Sequence, residues 1–259
     1  MTGRPIPPHG LLEGQGRDGL LAASGGSRFV RHYVFMDDDP TWYAVPGAVC
    51  FSRSSRSGHL PGHLSWTLLG DDAGVGRLLQ RLAEADGTTR STFSLSLPVH
   101  LEPTLHQHFR VGAGGNWEWM WTTSSVDPGP AAPSVGRLAP SEILSIPAFL
   151  AEHSPTSVAG HDDDTQWFAI ASDDGSLGAV GAYEVARGAG YLSSIAVATH
   201  LRGRGLGRLL TAYLTRHGVT EHGLSTLALF SDNDTALALY RSLGYVTEWR
   251  FASRAVVRS

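Results

Sequence analysis

Residues 191–208 read YLSSIAVATHLRGRGLGR. Tyr191–Ala198 reads as a strand, and Leu206, Leu209, Leu210, Tyr213 and Leu214 then recur at helical spacing until Gly218 ends the run. Between them lies Leu201–Arg208, LRGRGLGR. Glycines at 203, 205 and 207 let the main chain approach a ligand closely and take unusual dihedrals. Successive N–H groups at a helix N-terminus face outward, where the helix dipole favours an anion. Arg202, Arg204 and Arg208 add positive charge, so the stretch has the chemical logic of a diphosphate cradle. Taken alone, R-x-x-G-x-G is weak evidence: composition yields roughly 0.3 matches per chain, and a glycine-rich turn entering a helix gives the same letters. A P-loop needs Lys before Ser or Thr, and this chain has no Lys. The dinucleotide fingerprint would need Gly where Arg208 stands.

Working outward, Ser225–Phe230 reads as a strand and Asn233–Leu243 as a helix with Ala236, Leu239, Tyr240 and Leu243 on one stripe. Ser231 or Asp232 is placed to cap it and Gly244 to stop it. Val246–Phe251 is a last strand. Upstream, Trp167–Ala171 and Leu177–Val185 are strands joined through Asp174-Gly175, and a second tight turn falls at Arg187–Gly190. Val135–Leu138 is a short strand, and Ser141–Glu152 a helix that Pro147 kinks or delays. Antiparallel strands followed by strand–helix–strand–helix–strand predict an α/β (α+β layered) domain.

Asn233-Asp234-Thr235-Ala236 followed by Tyr240-Arg241-Ser242-Leu243-Gly244-Tyr245 resembles the N-x-x-A-x-x-x-Y-x-x-x-G-[FY] segment of GNAT acetyltransferases. That pattern arises by chance on the order of 10⁻⁴ times per chain, so it is far more specific than the glycine loop. Both occur in the family's order, and Ser194-Ile195-Ala196-Val197 is similar to the family's fourth strand. The resemblance covers the residues after about 134. It implies a mixed, mostly antiparallel twisted sheet flanked by helices, with acetyl-CoA as co-substrate and no metal. It further implies that Ile195, Ala196 and Val197 pair with the pantetheine arm through their main chain. Arg202, Gly203, Arg204, Gly205, Leu206, Gly207 and Arg208 would hold the diphosphate, Asn233 would contact the cofactor, and Tyr240 would protonate the departing thiolate. Many family members carry Glu on the fourth strand, but Tyr191–Val197 has none. Glu184, His153 and a water chain are the candidates for assisting amine deprotonation. The expected activity is N-acetyl transfer to a small-molecule or peptide amine by direct attack in a ternary complex. A non-catalytic acyl-CoA sensor is the alternative.

The first half carries an earlier version of the same pattern. Arg28–Phe35, Trp42–Phe51, His63–Leu69, Phe93–Leu97 and Trp117–Trp121 read as strands, with a helix at Val75–Ala85. Gly74-Val75-Gly76-Arg77-Leu78-Leu79 repeats the pattern of Gly205-Leu206-Gly207-Arg208-Leu209-Leu210, with Asp71 where Arg202 would be. Phe109, without a hydroxyl, falls where Tyr240 would, and Glu102 replaces Asn233. This reads as a degenerate copy that binds acetyl-CoA weakly or not at all. Ser124–Pro133, SSVDPGPAAP, reads as a linker. The expected organisation is a Gly/Pro-rich segment 1–27, a degenerate GNAT-like domain 28–123, the linker 124–133 and a catalytic domain 134–259: the fold in tandem.

Bulk properties narrow the setting. Of 259 residues, 42% are hydrophobic and 17% charged, ordinary for a globular protein. A net charge of -4 argues against nucleic-acid binding, and all 20 basic residues are Arg. One cysteine forbids an intrachain disulfide, the N-terminus lacks a signal-peptide core, and no apolar run reaches membrane-spanning length. A cytoplasmic protein with no membrane partner is expected, and oligomeric state has no signature here. His161–Asp164 and Met36–Asp39 read as exposed acidic loops, the former placed to attract a cationic amine. His106 and His108 point to different helix faces and are poor co-ligands.

Overall fold

The computed structural model describes residues 10–33, 39–54, 64–84, 92–129, 134–157 and 165–258. They fall into two compact units. The acidic loop at Asp162–Asp164 and residues 36–38 lie outside the described residues.

The first unit holds residues up to Glu118, with Phe230–Asp232 and the chain from Trp249 onward. Its elements are β1 (Leu12–Gln15), α1 (Arg17–Ala23), α2 (Arg28–His32), β2 (Thr41–Val45), β3 (Ala48–Ser54), β4 (Leu64–Gly70), α3 (Asp72–Glu84) and β5 (Thr92–Pro98). A 3-10 helix, Val99–Gln107, leads to the long strand β6 (Phe109–Thr122). The order β1-β2-β3-β4-β5 continues into β12 (Val246–Arg258), whose Phe251–Val257 pairs antiparallel with Pro98–Thr92. Val75, Leu78, Leu79 and Leu82 of α3 bury one face against Cys50, Leu68, Leu95, Leu97 and Val256.

The second unit holds Trp119–Leu229 and Asn233–Glu248. It comprises the end of β6, then β7 (Val135–Arg137), α4 (Pro140–Ile143), α5 (Ile146–His153), β8 (Gln166–Ala171), β9 (Leu177–Ala186) and β10 (Ala189–Val197). α6 (Leu206–His222), β11 (Ser225–Phe230) and α7 (Asp234–Ser242) follow. The order is β6-β11-β10-β9-β8-β7. Both faces of this sheet are covered, which is why β8–β10 read as nearly continuous apolar runs. α6 and α7 cover one face through Leu210, Leu214, Leu237, Tyr240 and Leu243. Ile146, Phe149 and Leu150 of α5 cover the other, against Trp167, Val180, Ala182 and Ala196.

The two units share one topology. β4 and β5 are parallel with α3 between them, and β10 and β11 are parallel with α6 between them. In each, the strands before that crossover pair antiparallel in chain order. Each unit is completed by a strand from the other half of the chain, β12 beside β5 and the end of β6 beside β11.

Several local expectations are corrected. Arg28–His32 is a helix, not a strand: the Ser27 hydroxyl accepts from the Val30 N–H, and adjacent Phe29 and Val30 are both buried. Trp42–Phe51 is two strands, broken at Gly47, whose φ of 84° only glycine adopts easily. β1 and α1 lie inside the stretch read as Gly/Pro-rich. Pro147 starts α5 rather than kinking one long helix. α6 runs on to Gly223, and Gly218 lies inside it, packed on Gly190 of β10. Asn233, not Ser231 or Asp232, caps α7. Phe109 opens strand β6 and has no counterpart to Tyr240's helical setting.

Candidate functional site

The helix entrance at residues 202–208 is built by backbone conformation. Gly203 and Gly205 sit at φ 79° and 83°, where an L side chain is strained, and nothing lies within 4 Å of where their Cβ would be. At Gly207 space is tighter: a Cβ there would meet the Val197 side chain at 3.3 Å. Gly205 is the N-cap residue of α6 and offers no side chain to the first-turn N–H groups. Those of Leu206, Gly207 and Arg208 therefore have no capping acceptor, which is the arrangement that receives an anion.

The arginines divide. Arg202 is turned back onto the protein: its guanidinium donates to the carbonyl oxygens of His153 and, at 3.4 Å, Val197. Arg208 donates to the Ser242 hydroxyl at 2.6 Å and ties α6 to the end of α7. Arg204 is exposed and has no partner among the described residues, so it is the cation free to meet a ligand.

Beside this entrance the sheet opens. β10 and β11 pair only through Gly190–Ser225, Tyr191–Thr226 and Leu192–Leu227. From Ser193 the register with β9 is interrupted by a bulge until Ala196 pairs with Val180 and Val197 with Ala179. Ser194, inside the bulge, takes φ 53°, and its hydroxyl oxygen is buried without a partner. Ile195 lies in the bulge with Ser194, and past it Ala196 and Val197 pair with β9 alone, so this end of β10 has no β11 partner.

Tyr240 belongs to the same apolar cluster as Leu192 and Leu227, the last paired residues, with Ile195 and Val197 packed against it. It is 8% exposed, its ring meets Tyr245 edge-on at 5.8 Å, and its hydroxyl has no hydrogen-bond partner among the described residues. Burial, and then the neighbouring Tyr245, push its pKa well above the ordinary phenol value. The Asn233 Oδ1 caps α7 by accepting from the Ala236 N–H at 3.1 Å, leaving its amide nitrogen for other contacts.

His153 ends α5, and its Nδ1 faces the Thr199 hydroxyl at 3.2 Å. With the Arg202–His153 bond, it anchors the loop ahead of the cradle. Glu184 lies on β9 opposite Tyr191, half-buried, and accepts from the Thr165 hydroxyl at 3.0 Å. Sequence reasoning missed Ser194 and the anchoring of Thr199. The first was placed on the fourth strand with no role given to its side chain, and the second had no signal.

In the first unit the corresponding helix entrance is closed. α3 begins at Asp72, so Gly74 and Gly76 lie inside the helix rather than ahead of it. The Asp71 carboxylate accepts from the Gly74 N–H at 2.7 Å. A carboxylate of the chain's own sits where an external anion would bind.

Among the described residues no group of three or more His, Cys, Asp or Glu is placed to hold a metal, and no helix is long and apolar enough to cross a membrane.

Comparison with known proteins bears on this geometry. A protein of Drosophila matches with a TM-score of 0.59 at 15% identity, over 93% of this chain and 86% of that one. A GCN5-related N-acetyltransferase from Sphaerobacter thermophilus matches with a TM-score of 0.58 at 14% identity, over 98% of both chains. Another from Kribbella flavida reaches 20% identity with a TM-score of 0.50, over 82% of this chain and 87% of that one. At these identities the likeness concerns the fold. No match is found among curated proteins. Residues 138–245 match the Acetyltransferase (GNAT) family. Residues 138–245 of this chain therefore form a GNAT-family domain.

Proposed function

We propose that the C-terminal half, residues 134–259, moves an acetyl group from acetyl-CoA to an amine of a small-molecule or peptide acceptor, by direct attack in a ternary complex. The N-terminal half, residues 28–123, takes no part in the chemistry. One observation carries the reading: the β10–β11 ladder stops after Leu192–Leu227 beside a helix whose first N–H groups are uncapped. Open main chain suits an extended amide-bearing arm, and the uncapped turn with Arg204 suits a diphosphate.

When bound, acetyl-CoA supplies an activated acyl carbon and a thiolate leaving group. The residues of this chain do the rest. Ile195, Ala196 and Val197 hold the arm through their main chain, and one of their N–H groups polarises the thioester carbonyl. Gly203–Arg208 hold the diphosphate, and the Asn233 amide nitrogen is available to the cofactor.

A primary amine near pKa 10.4 is only about 0.04% neutral at pH 7, so its deprotonation needs help. Glu184, through a water chain, is the group we assign to this. His153 positions the Thr199–Arg202 loop. The Tyr240 hydroxyl, a phenol that is protonated at neutral pH, gives its proton to the departing thiolate.

The test is acetyl-CoA turnover, followed by free thiol release, across a panel of small and peptide amines. Turnover on any of them supports the assignment. Acetyl-CoA binding without turnover would replace it with a sensor role, and absence of binding would end it.

A further inference from the structure

Ser194 combines features that a strand residue does not need. Only it and Arg187, a turn residue, are non-glycines at positive φ among the described residues. It lies in the bulge of β10, two residues past the last pair with β11. Its hydroxyl oxygen is buried and has no hydrogen-bond partner among the described residues. The left-handed region favours glycine, and a buried hydroxyl without a partner is unfavourable. Glycine at this position would remove both penalties, yet serine stands there. Backbone strain and an unmet polar atom on one residue, at the mouth of an open cleft, mark a group that completes its bonding with a ligand.

We propose that the Ser194 hydroxyl accepts a hydrogen bond from the acceptor amine and so aims the nitrogen lone pair at the acyl carbon. The inference rests on the acetyl-transfer reading given above. The chemistry points to the amine rather than the thioester, because the carbonyl is served by main-chain N–H groups of Ile195–Val197. Tyr191–Val197 carries no carboxylate, so on this strand a serine oxygen is left to receive an N–H. A serine hydroxyl is far too weak a base to take the proton; it orients the nucleophile and leaves deprotonation to another group. A neutral primary amine has two hydrogens, one for Ser194 and one to be lost. A secondary amine has one, for which the two roles compete. The acceptor class that fits is therefore the primary amine.

The experiment compares wild type with Ser194→Gly and Ser194→Ala, measuring kcat/KM for a primary amine, KM for acetyl-CoA, and Tm. Ser194→Gly suits the observed φ, so it folds at least as stably as wild type. Both variants are expected to lose about tenfold in amine kcat/KM, with KM for acetyl-CoA unchanged. Amine kcat/KM retained within about twofold in Ser194→Gly, or a loss mirrored in KM for acetyl-CoA, overturns the proposal while leaving acetyl transfer intact. A wild-type protein with no turnover on any amine instead overturns the transferase reading and this proposal together.

Discussion

Two tyrosines five positions apart separate fold from chemistry. Tyr245 places its hydroxyl 2.7 Å from Ser225 and 3.0 Å from Thr215, both 0% exposed. Tyr245→Phe leaves two buried hydroxyls unpaired. With each orphaned group costing about 1–3 kcal/mol, the expected loss is at least about 2 kcal/mol. For a chain of this size that lowers Tm by roughly 4–8 °C. Tyr240→Phe removes a hydroxyl with no partner among the described residues and leaves the packed ring in place. Its stability change should stay within about 0.5 kcal/mol. Losing a general acid, however, lowers kcat by on the order of 10²-fold. Thermal melts and steady-state thiol release on the same preparations decide the matter. The expected pattern is crossed: Tyr245→Phe melts early, and the fraction still folded turns over, while Tyr240→Phe melts normally and is slow. Equal turnover in wild type and Tyr240→Phe would refute the acid assignment. Destabilisation of Tyr240→Phe as large as that of Tyr245→Phe would show its hydroxyl to be structural.

Further outcomes follow from the same coordinates. Asp71→Ala removes the cap on α3 and should cost about 1 kcal/mol, read as a lower Tm, without changing acetyl transfer. Gly190→Ala puts a Cβ 2.7 Å from the Gly218 Cα and 2.9 Å from the Tyr183 ring, so a loss of about 1–3 kcal/mol is expected in a denaturant melt. Burial pushes Tyr245 up to about 12, and burial with Glu221 nearby does the same for Tyr183, from an ordinary 10.0. The unfolded chain then ionises first, so this stability is fully present below pH 10 and is lost as pH rises toward 12. Urea midpoints should fall across that window by the equivalent of up to about 1.4 kcal/mol per pH unit for Tyr245, and by less for Tyr183.

What could be read from the sequence was what short stretches decide by themselves. The glycine turn into α6 was legible because glycines at 203 and 205 act through their own dihedrals, and α7 because its stripe and stop lie within a dozen or so residues, although its cap is Asn233 rather than Ser231 or Asp232. Gly218 was misread because a stop glycine and a packing glycine look alike locally. The difference is Gly190, brought alongside only when α6 lies on β10. Arg28–His32 failed for another reason: five residues are too few to show a helical period, and it is the Ser27 cap and the burial of Phe29 that fix the helix. Arg202 looked like a phosphate ligand by its place in the motif, yet its guanidinium reaches the carbonyl of His153, a partner that spacing alone does not reveal.

The two helix entrances show the same physical problem solved in opposite ways. Every helix begins with N–H groups that lack intrahelical acceptors, and an uncapped start is less stable by about 1 kcal/mol. α3 meets the need internally: Asp71 supplies the carboxylate, Gly74 receives it, and nothing is left for a ligand. α6, seventeen residues long and well packed, could have been capped by a Ser, Thr or Asp at 205. It has instead a left-handed glycine with open space around it. An uncapped helix start beside an interrupted strand ladder is intelligible if the missing acceptor arrives with a ligand. The strand beside it supports that reading. β10 likewise stops pairing with β11 after Leu192 and carries an unpartnered Ser194 hydroxyl. Unmet donors at the helix and unmet main chain at the strand are independent features of the backbone. A single phosphate-bearing amide arm would satisfy both, and a simple anion would satisfy only the first. Competition between acetyl-CoA and inorganic pyrophosphate should therefore be weak, and affinity comparable for the two would break the link between cradle and cleft.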